Sequence, residues 1–497
     1  MICRPSLNNA LAALALALLL AGCRGPAGEG ESPPGAAKGN SAFAGHLAEA
    51  EAASARGALD EAGRALDAAR KLSPDDPDLW VAIARLRFRG GEHFTALEAA
   101  DRALELGPRH VPALLMRALM VRDAHGAADS LPWFEAAIAA DADNPEALAQ
   151  YAATLGDGGQ ARKMLDAVRL LAAAAPDDPR IFWYQAVLAA RGGEYALARS
   201  LLARSGMAAR GVPAALQLDA VISLAQGNAD SAGATLETLA ARQPANVRVR
   251  ELFARALFDA GRMNEVVQRF GTEAQRPEAS PYLVMLVARA FERLGERAAA
   301  APLLERAYRG VDHRPVVLAA RAGLPPPTVA ARNAALAGNW RGARVDVDVL
   351  AGRLPASADV AALAGDVMLG SKDPEAALAA YARAAQVKRP FPLTRKAVWA
   401  YASAGDQQAA DTVLARHVAG EPEAASALVA LARRQAEQGQ WMRAAQLLDH
   451  AIDRGAGHDP ALLAFRLRTA RELQDSAGAQ RFSSLLAEVR PEPVAAR

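Results

Sequence analysis

Cysteine is almost absent from this chain of 497 residues: Cys3 and Cys23 are the only two, and both lie close to the N-terminus. No disulfide can staple the body of the molecule, and no cysteine there can act as nucleophile or metal ligand. Lysine is nearly as scarce, 6 against 51 arginines. Only six isoleucines and 5% aromatic residues stand beside alanine at almost every turn, which excludes extensive β-structure and favours long helices. Neither sign of charge prevails. Lys+Arg 57 against Asp+Glu 55 leaves +2, so a nucleic-acid binder relying on bulk positive field is excluded. An apolar fraction of 52% excludes wholesale disorder. The length leaves room for several domains or one long repeat array.

The first residues read as an export signal, with Arg4 ahead of an apolar run from Ala10 to Leu20 and the small residues Ala21 and Gly22 before Cys23. That run is short for a membrane-spanning helix. Leu20-Ala21-Gly22-Cys23 resembles the lipobox of bacterial lipoproteins, which implies cleavage before Cys23 and acylation of its thiol. The alternative is an uncleaved anchor or an ordinary signal. Arg24 stands where the inner-membrane retention aspartate of the enterobacterial family would be, so the resemblance favours the outer membrane. Arg24 to Asn40 is dense in Gly, Pro and Ser without apolar period, and reads as a tether with a flexible-coil reach of ~23 Å.

Beyond the tether the chain repeats. A small residue recurs at Ala50, Ala84, Ala118, Ala152, Ala186, Ala220, Ala254 and Ala288, each 34 residues after the last. Seven positions later stands a glycine in seven of these eight units, from Gly57 to Gly295, with His125 the departure. A second mostly small position follows at Ala62, Ala96, Ser130, Met164, Ala198, Ala232, Val266 and Ala300. Prolines such as Pro77, Pro145, Pro179, Pro213 and Pro281 open units. This spacing is a helix hairpin: apolar faces at helical period, glycine at the turn, proline where a helix begins, and small residues where the two helices approach. One hairpin buries a face only against its neighbours, so the units must stack.

The pattern resembles the tetratricopeptide repeat (TPR) family. In residues 77–110 the signature positions are filled by Trp80, Ile83, Ala84, Gly91, Ala96, Ala100, Ala103 and Pro108. The resemblance implies an all-α, right-handed superhelical solenoid. From Ala288 the next equivalent residue is Ala331, a step of 43. The slip surrounds Pro315–Gly323 and is followed by Pro325-Pro326-Pro327, which cannot continue a helix, and it predicts a hinge between eight repeats and five, with the chain elongated and bent there. The organisation expected is a signal peptide over 1–22, acylated cysteine and tether over 23–42, a first array over 43–314, a hinge over 315–327, a second array over 328–490, and a tail over 491–497.

Catalytic signatures are poor. His93, His110, His125, His313, His417, His450 and His458 are scattered singly and read as surface or groove residues, with no H-E-x-x-H pair. Gly365 to Lys372 has G-S-K where a phosphate loop needs G-K-[ST], and Gly365 reads as a packing residue. No catalytic residue, cofactor or metal ligand is expected, and the chain reads as no enzyme.

Recognition remains. In this family positions two, five, nine and twelve of each unit line the concave face. Position nine holds Arg85, Arg255, Arg289, Arg332, Arg433 and Arg468, with Trp399 in the same row and Arg248 and Arg395 beside it; Trp183, Val187, Val221 and Leu224 make an apolar middle. Such a groove suits a protein or peptide segment carrying carboxylates. The plainer account is that arginine is the default cation of this chain and the apolar stretch a tight inner curve. The expectation is a non-catalytic, lipid-anchored scaffold at the envelope facing the periplasm, supporting exopolysaccharide export, pilus assembly or protein sorting. The alternative is direct handling of a glycan in polysaccharide export.

Replacing Cys23 with Ser should release the protein to a soluble or unprocessed form. Fractionation of cells that leaves the variant processed and membrane-bound would remove the lipid anchor from this reading.

Overall fold

The computed structural model describes residues 34–276, 279–309, 317 and 325–489, with side chains described from 41 to 487. Cys23 and its signal segment lie outside the described residues, as does most of the expected hinge. Among the described residues twenty-six α-helices follow one another in pairs, eight pairs before the phase slip and five after it, so the chain is an all-α solenoid of TPR-like hairpins. None of the described helices is long and apolar enough to cross a membrane.

One pair shows the local rule. The Asp76 carboxylate accepts from the backbone N–H of Asp78 at 2.8 Å and Pro77 occupies the first turn, which starts helix Pro77–Arg89. Gly91 turns the chain at φ +82°, and helix His93–Leu106 returns. Ala84 on the first helix and Ala96 on the second are fully buried. All eight alanines of the 34-residue series are at most 3% exposed, so the period marks where helices approach too closely for a longer side chain.

Three departures have local causes. Where His125 replaces the expected glycine, the turn moves one residue on, to Gly126 at φ +101°. Lys372 and Gln474 occupy the left-handed turn position at φ +63° and +56° without being glycine. Helix Pro34–Ala55 begins inside the stretch expected to be tether, a correction of that boundary; proline is tolerated in a first turn, and the alanines after it favour helix. At the slip, Pro325 is extended at φ −57° and ψ 125°, and a single 3-10 turn, Pro326–Thr328, leads into the short helix Val329–Leu336.

The compact units are not the two arrays. One unit joins residues 155–309 to 422–489, and the other joins residues 34–154 to the described stretch between 317 and 421. In this second unit, His93 Nδ1 accepts from the backbone N–H of Ala358 at 3.1 Å, and the Phe94 N–H donates to Ala356 O at 3.1 Å. His93 is buried, contrary to a surface reading, and burial pulls its pKa below the ordinary value, which keeps the ring neutral as an acceptor. Further along, the Arg389 N–H donates to Asp123 O at 2.9 Å, and Gly420 lies directly on the carbonyl of His125.

Lys372→Gly should raise stability by about 1 kcal/mol, read from denaturant midpoints, because glycine occupies positive φ without steric cost. Gly420→Ala should lower stability by roughly 1–3 kcal/mol, although alanine is the better helix former, because the added methyl meets backbone that cannot yield. An unchanged midpoint for Gly420→Ala would disprove the close backbone contact.

Candidate partner-binding cleft

In the unit containing residues 155–309 and 422–489, a cleft of about 700 Å³ opens between the ends of several helices. Helix Ala425–Glu437 brings Arg433, Ala436 and Glu437; helix Pro460–Glu472 brings Ala461, Ala464, Phe465 and Arg468; Trp441 opens the helix that follows the Gly439 turn. Counting from the first residue of each of the two first helices, the lining includes positions two, five, nine and twelve. Tyr308 and Arg309, at the end of helix Arg297–Arg309, complete it.

The charge in the cleft is mostly positive. Arg468 is exposed, its guanidinium 5.4 Å from the centre of the Trp441 ring, a cation–π contact that holds it upright over an apolar surface. Arg433 is half-buried. Burial pulls its pKa below the ordinary arginine value, while Glu437 and Asp459 pull the other way. Among the described residues neither Arg433 nor Arg468 forms an ion pair. Arg309 pairs with Glu305 on its own helix and stays exposed. The cleft therefore brings guanidiniums together with the aromatic side chains of Trp441, Phe465 and Tyr308. That set suits a ligand combining carboxylates with a flat or apolar group.

The other expected groove residues are placed differently. Trp183 and Val187 are 6% and 4% exposed, and helix Pro179–Arg191 is buried on nearly every side. Val221 and Leu224 pack against a core cluster running from Ala220 to Ala307. This strip is packing material as it stands, a correction of the open apolar groove, because neighbouring helices cover both flanks of these first helices. Arg255 donates from Nε to Asp259 at 3.2 Å, and Arg289, 8% exposed, donates to Glu292 at 3.2 Å. In the other unit Arg332 is buried, its Nε donating to Thr328 Oγ1 at 3.1 Å, whereas Arg85 and Trp399 are exposed. Of the residues read from sequence, the cleft gathers Arg433 and Arg468. Tyr308, Arg309, Trp441 and Phe465 were missed. Phe465 sits next to a lining position, but Tyr308 and Arg309 reach the cleft only because helix Arg297–Arg309 packs on helix Pro460–Glu472, a contact no period announces.

The segment between two walls of the cleft explains part of the burial. After helix Trp441–Ala451 the chain makes a π-helical turn, Ile452–Ala456, with Gly455 at φ +96°. His458 then stands edge-on to Tyr282, ring centres 4.6 Å apart, its Nδ1–H donating to Gly455 O at 2.7 Å. Asp459 caps the next helix, accepting from Ala461 N at 2.8 Å. Burial, then Arg248, hold His458 down to about 3, and burial pushes Asp459 up to about 6. His417 is also buried, beside Thr394, and held down to about 4 by burial and Arg389, so it too departs from a surface reading. Among the described residues no group of three or more His, Cys, Asp or Glu is placed to hold a metal ion.

These hairpins are similar to those of several solved structures. PilF of Pseudomonas aeruginosa aligns over 44% of this chain and 99% of its own, at 17% identity and a TM-score of 0.36. YrrB, described as a TPR protein with an unusual peptide-binding site, aligns over 37% of this chain and 95% of its own, at 19% identity and a TM-score of 0.27. A tetratricopeptide repeat protein from Parabacteroides merdae aligns over 54% and 92%, at 16% identity and a TM-score of 0.26. No protein-family model matches the sequence, and no curated protein matches it. At these values the likenesses carry neither activity nor partner to this chain.

Trp183→Ala should cost about 3–5 kcal/mol of stability, seen as a sharply lowered melting point, since it empties a buried site. A second expectation concerns pH. His458 is depressed in the folded chain, so its contribution is lost as pH falls from about 6.5 towards 3; Asp459 is raised, so the folded chain gains as pH falls from about 6 towards 3.8. The two oppose each other over most of that window, each proton being worth up to about 1.4 kcal/mol per pH unit. Asp459→Asn leaves His458 alone with the charges of Arg248, Glu251, Arg255 and Arg433, and its melting point should fall more steeply than wild type between pH 6 and 4. Parallel curves would show that the pair is not the source of any acid sensitivity.

Proposed function

We propose that this chain is a non-catalytic scaffold that holds acidic segments of protein partners in the cleft of Arg309, Arg433 and Arg468, and that it works at the cell envelope, tethered through lipid on Cys23. The observation carrying the first half is the cleft itself: Arg433 and Arg468 without ion pairs among the described residues, the second over the Trp441 ring, at the concave positions of two successive hairpins. A carboxylate-bearing peptide supplies the charge that Arg433 and Arg468 lack, and an apolar side chain covers Trp441 and Phe465. The second half rests on the lipobox resemblance and on the Gly- and Pro-rich stretch behind it. Support for exopolysaccharide export, pilus assembly or protein sorting at the outer membrane belongs to the same reading.

Three aromatic side chains in one cleft favour a second reading, an acidic glycan stacked on Trp441 and clamped by the arginines. A synthetic peptide of Glu and Asp residues around one Phe, titrated against an acidic oligosaccharide, separates the two.

The double variant Arg433→Glu, Arg468→Glu should weaken the peptide about tenfold or more in low salt, with the gap shrinking as salt rises, and leave the melting point nearly unchanged. Peptide binding that ignores the variant would place the partner surface elsewhere; tight oligosaccharide binding without peptide binding would select the glycan reading.

A further inference from the structure

Residues 452–460 lie where the family pattern puts a partner. Position nine of the hairpin beginning at Val247 is Arg255, which touches Tyr282 on the next first helix, Pro281–Arg293. Against that face stand His458, on the Tyr282 ring, and Asp459, which feels the charges of Glu251 and Arg433; Arg248 and Arg255 act on His458. A second attachment lies nearby. Arg454 pairs with buried Glu423, whose carboxylate reaches the turn at Gly159, and both act on Arg191 at the end of helix Pro179–Arg191. The chain thus lays its own acid, histidine and arginine side chains along first helices that would otherwise present Arg191, Arg248, Arg255 and Tyr282.

The attachment differs from the packing between hairpins. The apolar cluster of these hairpins, from Ala220 to Ala307, takes no side chain from residues 422–489. Besides its buried Gly455, Ala456 and Pro460, the segment meets these hairpins through one ring contact and a few charged groups, and it departs from regular helix through a π turn and a left-handed Gly455. Opening such a contact leaves the hairpin cores intact, which is the condition for local opening below the stability of the whole.

We propose that residues 452–460 are an internal ligand of the concave row on the hairpins between Val247 and Arg293, and that a partner gains this row by displacing them. The proposal rests on the partner-binding reading above and adds its regulation: the cleft is the first contact, and the covered row is the second. Because the segment joins helix Trp441–Ala451 to helix Pro460–Glu472, both walls of the cleft, occupancy of the cleft and release of the segment are mechanically linked.

The test uses the full chain and the Glu/Asp/Phe peptide, with hydrogen exchange as the readout. Peptide binding should speed exchange of backbone amides in 452–460 while those of Val247–Asp259 stay protected. His458→Ala and Gly455→Ala, neither lining the cleft, should loosen the segment in the free protein and tighten the peptide about tenfold, and adding Arg255→Ala should remove that gain. Peptide that binds wild type through Arg433 and Arg468 but leaves 452–460 equally or better protected overturns the internal ligand and keeps the cleft. Peptide that releases the segment yet ignores Arg433→Glu, Arg468→Glu overturns the cleft and keeps the internal ligand. Binding to none of the forms overturns both. Should either loosening variant fail to fold, the wild-type exchange experiment decides alone.

Discussion

The constraint on which everything else depends is the close approach of two helices at a pair of small residues once in every 34. A hairpin of this size has one apolar face and no core of its own, so each gains stability only by lying on the next. Alanine at the crossing point costs nothing in side-chain entropy and is the best helix former, so one residue type satisfies both the local and the packing demand. That economy explains a composition with few aromatics and few isoleucines: alanine makes the close crossings, and large side chains such as Phe134, Tyr381 and the Phe253–Phe270 pair fill the space between them.

Stacking alone does not say which hairpins far apart in sequence meet within a unit. Those meetings are made by polar groups of low tolerance: a neutral His93 accepting from the first turn of a helix 265 residues away, the Arg389 N–H on the carbonyl of Asp123, two glycines at backbone contact, and Glu423 buried with Arg454. Buried polar contacts contribute little net stability against apolar replacements of equal volume, yet removing one partner is costly, so they penalise wrong arrangements.

The repeat was legible because it is local. Small residues, turn glycines and opening prolines act within one hairpin, and the count of eight and five followed from their spacing alone. Even the exceptions are local: the glycine displaced from 125 to 126, and Lys372 and Gln474 accepting left-handed backbone. What was not legible is everything that joins residues 155–309 to 422–489, or residues 34–154 to the stretch from 317 to 421. Trp183 shows why. Its position in the repeat is a groove position, and the residue type is what a binding groove uses, but the helix that carries it is covered on both flanks and the ring is core.

The arginines of position nine carry the same lesson further. Arg255, Arg433 and Arg468 each have a carboxylate four residues on, Asp259, Glu437 and Glu472, so the sequence offers all three the same intrahelical partner. Arg255 takes it. Arg433 and Arg468 do not, and the second stacks on Trp441 instead. The difference lies in the surroundings. Arg255 is set against Tyr282 with only a seventh of its side chain exposed, where an uncompensated charge would be prohibitive. The cleft admits solvent to Arg468, so water satisfies it until a ligand arrives, and the intrahelical pair, worth only about 0.2–0.5 kcal/mol, does not compete with a cation–π contact of equal or greater strength. An arginine row in such a solenoid is thus divided into closed and available members by burial, and two available ones, Arg433 and Arg468, mark the cleft.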